Sequence, residues 1–171
     1  MVMFMVLQVV SVFLVAVAMA LALAHALELP GKVRLDKSTY IAMQSIYYPG
    51  FTTGGGFGEG GGMIATAALL LLIPSQSGAF WWTLTALVAL VAMHAVYWIF
   101  THPVNKFWVR NQELGGFGKG FFAIDPAGRP AAAGADEDDW RRLRNRWEYS
   151  HVLRVVLAAI SLTSLVTAVA M

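Results

Sequence analysis

The chain has no cysteine. Disulfides, thiolate metal sites and cysteine nucleophiles are therefore excluded. Charge is scarce as well: 13% of the 171 residues are charged, where a soluble domain carries about a quarter. The formal net charge of +2 is too small to draw the chain to nucleic acid, which is left out of its partners. No basic stretch precedes the first apolar run, and that run is too long for a signal-peptide core, so it reads as a retained helix. What the chain has in abundance is apolar surface. Hydrophobic residues make up 58% of it, which points to an integral membrane protein.

Four segments are long or apolar enough to cross a hydrocarbon core of about 30 Å. The expected fold is all-α: an integral membrane four-helix antiparallel bundle, one domain over residues 1–171. The spans are expected near 2–28, 56–73, 79–102 and 147–170, joined by loops 29–55 and 103–146. Pro30-Gly31 is expected to break the first helix. Ser38 is placed to cap a short amphipathic, interfacial helix that Pro49-Gly50 stops after Tyr48. Tyr40, Gln44 and Tyr47 or Tyr48 share a helical stripe within it, suited to the membrane interface or to a substrate.

A glycine-rich run, Gly54 to Gly62, opens the second span. Gly56, Gly58 and Gly61 match G-x-G-x-x-G, but no strand precedes them and no βαβ unit surrounds them, so a dinucleotide site is rejected. In a membrane, glycine permits close helix approach. Glu59 is the run's only charge, either a solvated interfacial carboxylate or a ligand. His94 lies two turns deeper than His102 in the third span, where a hydrogen-bonded core residue and a ligand are both possible. Phe80, Trp81 and Trp82 fit an aromatic belt. In the long second loop, Phe117, Phe121 and Phe122 are placed to lie on the bilayer or cover a site. Asp136 to Asp139 favour the start of the fourth helix through its dipole. Arg141, Arg142, Arg144 and Arg146 read as a solvated, headgroup-facing turn.

All 12 Lys and Arg residues lie between Lys32 and Arg154, in or beside the two long loops. The positive-inside rule puts those loops in the cytoplasm and both termini on the other side, as expected for a bacterial inner (cytoplasmic) membrane. His25-x-x-Glu28 then ends the first helix at the level where Glu148-x-x-His151 opens the fourth. Glu59 begins the second span there and His102 ends the third. Three histidines and three glutamates thus share one predicted layer. Bundles with Glu-x-x-His pairs bind two iron or manganese ions, and imidazole with carboxylate also suits copper or zinc. His25, Glu28, Glu59, His102, Glu148 and His151 are the candidate ligands of one or two metal ions. A haem between two of the histidines, or a structural layer of ion pairs, competes with that reading. Arg154 is placed to neutralise Glu148 or to hold a substrate oxygen. Gln44 and Asn105 are placed to orient ligands, and Lys32 to snorkel to headgroups.

His25-Ala26-Leu27-Glu28-Leu29-Pro30-Gly31-Lys32, His102-Pro103-Val104-Asn105 and Arg146-Trp147-Glu148-Tyr149-Ser150-His151 with Arg154 resemble the small four-helix membrane proteins of the anthrone-oxygenase-like family, a domain of unknown function. The likeness spans nearly the whole chain. Its most specific parts are Val104-Asn105 and Arg-Trp-Glu-x-x-His. Some members are assigned to oxidation of anthrones to anthraquinones with O2, so the resemblance implies an oxygen-using activity.

The expectation is a membrane-embedded, metal-dependent oxidoreductase, an oxygenase with iron first among its cofactors. A lipophilic aromatic substrate enters beside Tyr47, Trp98 or Trp147. A metal-free route runs through His151 or Glu148 as the base and Arg154 as the anion holder. The competing class is a non-catalytic membrane subunit or small transporter, as a homo-oligomer or within a larger complex.

Overall fold

In the computed structural model, residues 2–109, 114, 116–124 and 137–171 are described. Helix α1 spans Val2–Lys32. α2 covers Lys37–Met43 and runs into a 3-10 turn at Gln44–Ile46. α3 spans Gly50–Leu72, α4 Gly78–Trp108, α5 Gly116–Ala123 and α6 Glu137–Val169. The long helices α1, α3, α4 and α6 are each apolar and long enough to cross a membrane. α1 packs on α3, α3 on α4, α4 on α6 and α6 on α1, so the four close an antiparallel ring in chain order.

The ring is held by small residues and a buried apolar strip. Val15, Ala18, Ala22, Leu69, Ala86, Leu90, Met93, Ala158 and Leu165 form one core. Association in lipid depends on such close packing, because lipid tails are as apolar as leucine. Gly58 shows how close the backbones come: a Cβ there would lie 2.9 Å from the Ala18 nitrogen. Ser161 adds a hydrogen bond between helices, donating to the Ala86 carbonyl at 2.8 Å. Val6, Val9, Phe13, Ile64, Leu71, Val88, Val156 and Ile160 stay exposed on the outside, where hydrocarbon would meet them. A second cluster of Tyr40, Tyr47, Val104, Trp108, Trp140, Leu143 and Trp147 seals the loop end of the ring.

Several local expectations change. α1 passes through Pro30 and ends at Lys32. Proline removes one helical N–H but tolerates a position in an exposed last turn, and the extra turn brings Lys32 back under Glu28. The cap of α2 is Asp36, whose carboxylate accepts from the Thr39 N–H at 2.9 Å, while Ser38 donates to that same carboxylate at 2.7 Å. These bonds hold the Asp36 carboxyl below its ordinary pKa of 3.8. The glycine-rich run is helical and contains a π turn at Gly56–Gly60; a second π turn occupies Tyr97–Thr101. Such turns recur at functional sites. Asp136 and the side chains of Phe117, Glu137 and Asp138 lie outside the described residues.

Candidate functional site

Lys32 is the first surprise of the site. It does not snorkel: its side chain is 2% exposed. It sits inside a cage of its own making, with Nζ 2.8 Å from Glu28 Oε2, 3.7 Å from Glu148 Oε2 and 3.3 Å from His25 Nδ1. The rings of Tyr47 and Trp147 lie 4.7 and 4.9 Å from the ammonium, a cation–π arrangement. The desolvated ammonium is thus compensated on all sides, as a buried charge must be. Tyr40 donates to Glu148 Oε1 at 2.8 Å, and Tyr47 to Glu28 Oε2 at 2.6 Å. Burial, with Glu148 beside Tyr40, pushes the Tyr40 phenol well above its ordinary 10.0. Burial and the bond to Glu28 do the same for Tyr47.

A second buried ion pair lies deeper. Arg154 donates from Nη2 to Glu59 Oε1 and from Nη1 to His151 Nδ1, the latter at 3.2 Å. Arginine is only a donor, so His151 Nδ1 accepts, and the ring proton sits on Nε2. His94 follows the same logic. The Trp98 indole donates to its Nε2 at 2.8 Å, which leaves Nδ1–H to donate to Glu59 Oε2 at 3.2 Å. His25 and His151 connect the two ion-pair groups, their rings 4.1 Å apart and packed against Trp147.

The expected layer is therefore split. Glu28 and Glu148 flank Lys32. Glu59 pairs with Arg154 and His94. His102 does something else: its Nε2 donates to the Ile124 carbonyl at 2.7 Å, and its Nδ1 faces the Tyr97 hydroxyl at 3.2 Å. Its ring stacks on Phe122, so it holds the segment carrying α5 against α4. Asn105 accepts from the Trp147 indole at 2.6 Å and fixes that ring. Arg154 neutralises Glu59 on α3, and Lys32 takes the place beside Glu148. Among the described residues, no three His, Asp or Glu side chains converge to hold a metal ion. The Nδ1 atoms of His25 and His151 face an ammonium and a guanidinium, and both oxygens of Glu59 are engaged. As arranged, this donor set does not fit a metal.

Between these groups lies a cavity with about 840 Å³ of empty space, its mouth included. Both π turns face it through Gly56, Glu59, Tyr97, Trp98 and Thr101. Tyr47, Phe51, Trp147, Phe121 and Phe122 supply aromatic walls, the last two from α5. His25, His94, His151 and Arg154 supply polar ones. Four buried donors on the lining side chains have no hydrogen-bond partner: Gln44 Nε2, Trp108 Nε1, His151 Nε2 and Arg154 Nε. Trp108 had no sequence signal as a site residue. Its place on the wall depends on the π turn before it, which no residue pattern announces.

A sequence model of the family described as anthrone oxygenase matches residues 51–164, two-thirds of the chain. The chain belongs to the anthrone oxygenase family. The matched stretch holds Glu59, His94, Trp98, Asn105, His151 and Arg154; His25, Lys32, Gln44 and Tyr47 precede it. No curated protein and no solved structure matches the chain.

Proposed function

We propose that this protein is a membrane-embedded oxygenase that holds a lipophilic, oxygen-bearing aromatic molecule in the cavity and presents it to O2. The observation that carries this reading is the set of four unpartnered donors on side chains that line a cavity with aromatic walls. A buried donor left without an acceptor costs about 1–3 kcal/mol. A flat ring system bearing carbonyl or phenolic oxygens removes that cost and fills the apolar space. Membership of the anthrone oxygenase family supplies the reaction class.

For an anthrone-like substrate, a ring methylene conjugated through the ring system to a carbonyl loses a proton. The negative charge moves to the carbonyl oxygen, where Arg154 and the His151 Nε2–H stabilise it. The carbanion carbon adds O2 to give a hydroperoxide, and loss of water leaves a second carbonyl. The balance is CH2 + O2 → C=O + H2O, with no external reductant. Glu59 is the carboxylate on the cavity wall; Arg154 and His94 engage its oxygens, so it accepts the proton by giving up one of those bonds. His151 offers an N–H there, and Glu148 is not among the wall residues.

The test is O2 uptake by purified protein given 1,8-dihydroxyanthrone. Uptake above autoxidation, at one O2 per anthraquinone formed, supports the reading; uptake equal to autoxidation with intact folded protein overturns it. That second result would favour a non-catalytic subunit or transporter whose polar groups join helices. Elemental analysis and a visible spectrum decide the metal question. Stoichiometric iron, copper, manganese or zinc, or a haem band, would mean that Lys32 and Arg154 yield their places beside the histidines. The distribution of Lys and Arg supports cytoplasmic long loops and both termini outside.

A further inference from the structure

The glycine-rich run has two faces, and packing explains only one. A Cβ on Gly54 would meet Leu21, one on Gly58 the Ala18 backbone, one on Gly61 Leu14, and one on Gly62 Leu90. These glycines let α3 approach α1 and α4. Gly55, Gly56 and Gly60 differ: a Cβ at any of them meets nothing within 4 Å. Nor does backbone conformation require them. Their φ values are −63°, −59° and −63°, ordinary right-handed helix that any residue adopts. Glycine in a helix costs stability relative to alanine, so the open positions weaken α3 without helping it pack.

Gly55 and Gly56 share a property that Gly60 lacks: they line the cavity. Gly56 is exposed and Gly55 half-buried, so the bare backbone stands at the cavity's edge. The same cavity is lined by His151 and Gln44, which are 3% and 5% exposed and whose Nε2 donors have no partner. Gly55 and Gly56 share the lining stripe of α3 with Thr52 and Glu59, and a side chain at either position has open space around its Cβ.

Resting on the oxygenase reading, we propose that Gly55 and Gly56 form the doorway of the cavity. They are a side-chain-free sill on the first turns of α3, over which a flat, lipophilic aromatic molecule passes in and out at the loop edge of the bundle. The aromatic walls then hold what the sill admits.

Because the chain has no cysteine, Gly56→Cys and Gly60→Cys each carry a single thiol. Labelling is done on the folded, purified protein, so a folding defect is seen before the label is added. The probe is 1,8-dihydroxyanthraquinone, followed by its fluorescence. A bulky maleimide at position 56 is expected to slow association and release together by roughly tenfold, leaving Kd unchanged, because a doorway acts on both rates alike. The same label at position 60 leaves both rates near those of the unlabelled protein. Saturating probe leaves the thiol at 56 open to labelling. Unchanged rates at 56 overturn the doorway, as does a weaker Kd with unchanged association, which would make Gly56 part of the bound pose. If Gly56→Cys does not fold, Gly55→Cys takes its place with the same expected and overturning results. If the unlabelled protein binds no probe, the oxygenase reading fails and the doorway with it.

Discussion

Arg154 donates from Nη1 to His151 Nδ1 across 3.2 Å, and so leaves the ring proton of this cavity-lining histidine on Nε2. One helical turn of α6 thus sets the tautomer of a histidine and, through Nη2, neutralises a glutamate on α3. The polarity of the cavity follows from this. Among the described residues, the buried unpaired atoms on its lining side chains are donors, so the ligand it suits brings the acceptors.

Replacing His151 with Phe keeps the ring's bulk and removes the donor. Binding of 1,8-dihydroxyanthraquinone is expected to weaken by roughly tenfold or more, one hydrogen bond being worth about 1 kcal/mol and more when its acceptor is charged. Gln44→Leu acts in the same direction. Equilibrium titration of the probe fluorescence checks both.

Arg154→Met leaves Glu59 buried without its cation. Loss of one partner of a buried pair costs about 3–5 kcal/mol. Pairing Arg154→Met with Glu59→Gln is expected to recover much of that loss, because the uncompensated charge goes too. Thermal unfolding in detergent, read as a double-mutant cycle, measures the recovery.

Lys32→Met tests the other buried cation. Glu148 is 1% exposed and, among the described residues, is left with the Tyr40 hydroxyl as its hydrogen-bond donor. Destabilisation is expected to exceed that of Tyr40→Phe, which removes one hydrogen bond to a charged group, about 1.5–3 kcal/mol. Had Lys32 reached the headgroups as expected, its replacement would be nearly neutral, so unfolding midpoints separate the two arrangements.

Two glycines two residues apart respond with opposite sign. Gly58→Ala places its Cβ 2.9 Å from the Ala18 nitrogen, against backbone that cannot swing aside; a loss of about 1–3 kcal/mol is expected. Gly60→Ala meets open space and gains helix propensity, up to about 1 kcal/mol. Paired thermal melts show whether the run divides as described.

The phenols of Tyr40 and Tyr47 titrate above their ordinary 10.0 in the folded protein. An acid whose folded pKa is raised binds its proton more tightly when folded. Its contribution is complete below pH 10 and falls as pH rises past that value. Alkaline unfolding followed by the phenolate absorbance is expected to start earlier for the wild type than for the Tyr40→Phe, Tyr47→Phe double variant, each referred to its own stability at neutral pH.

Much of the bundle was legible because hydrophobic runs act locally. Four apolar stretches of sufficient length in a chain so poor in charge leave few alternatives to membrane helices. The polar residues at the loop edge were legible for a related reason: ionisable groups among so few stand out. Arg146 to Arg154 announced Glu148, His151 and Arg154 in this way, and all three are buried in the bundle. Their partners were not legible. Sequence spacing put Arg154 beside Glu148, on its own helix. Packing instead gave Arg154 to Glu59 and gave Glu148 a lysine expected at the headgroups.

Sequence alone determined that the helices cross, that they alternate in direction, and that histidine, glutamate and arginine gather near their ends. Those properties follow from composition, length and order along one chain. Tertiary structure alone decided which cation meets which carboxylate, which nitrogen of each histidine carries the proton, and where space remains. These depend on how far each helix is rotated about its axis. A π turn adds a residue and swings the face beyond it by about 100°, one residue's share of a helical turn. Two such turns, in α3 and α4, bring Glu59, Trp98 and Thr101 to one cavity.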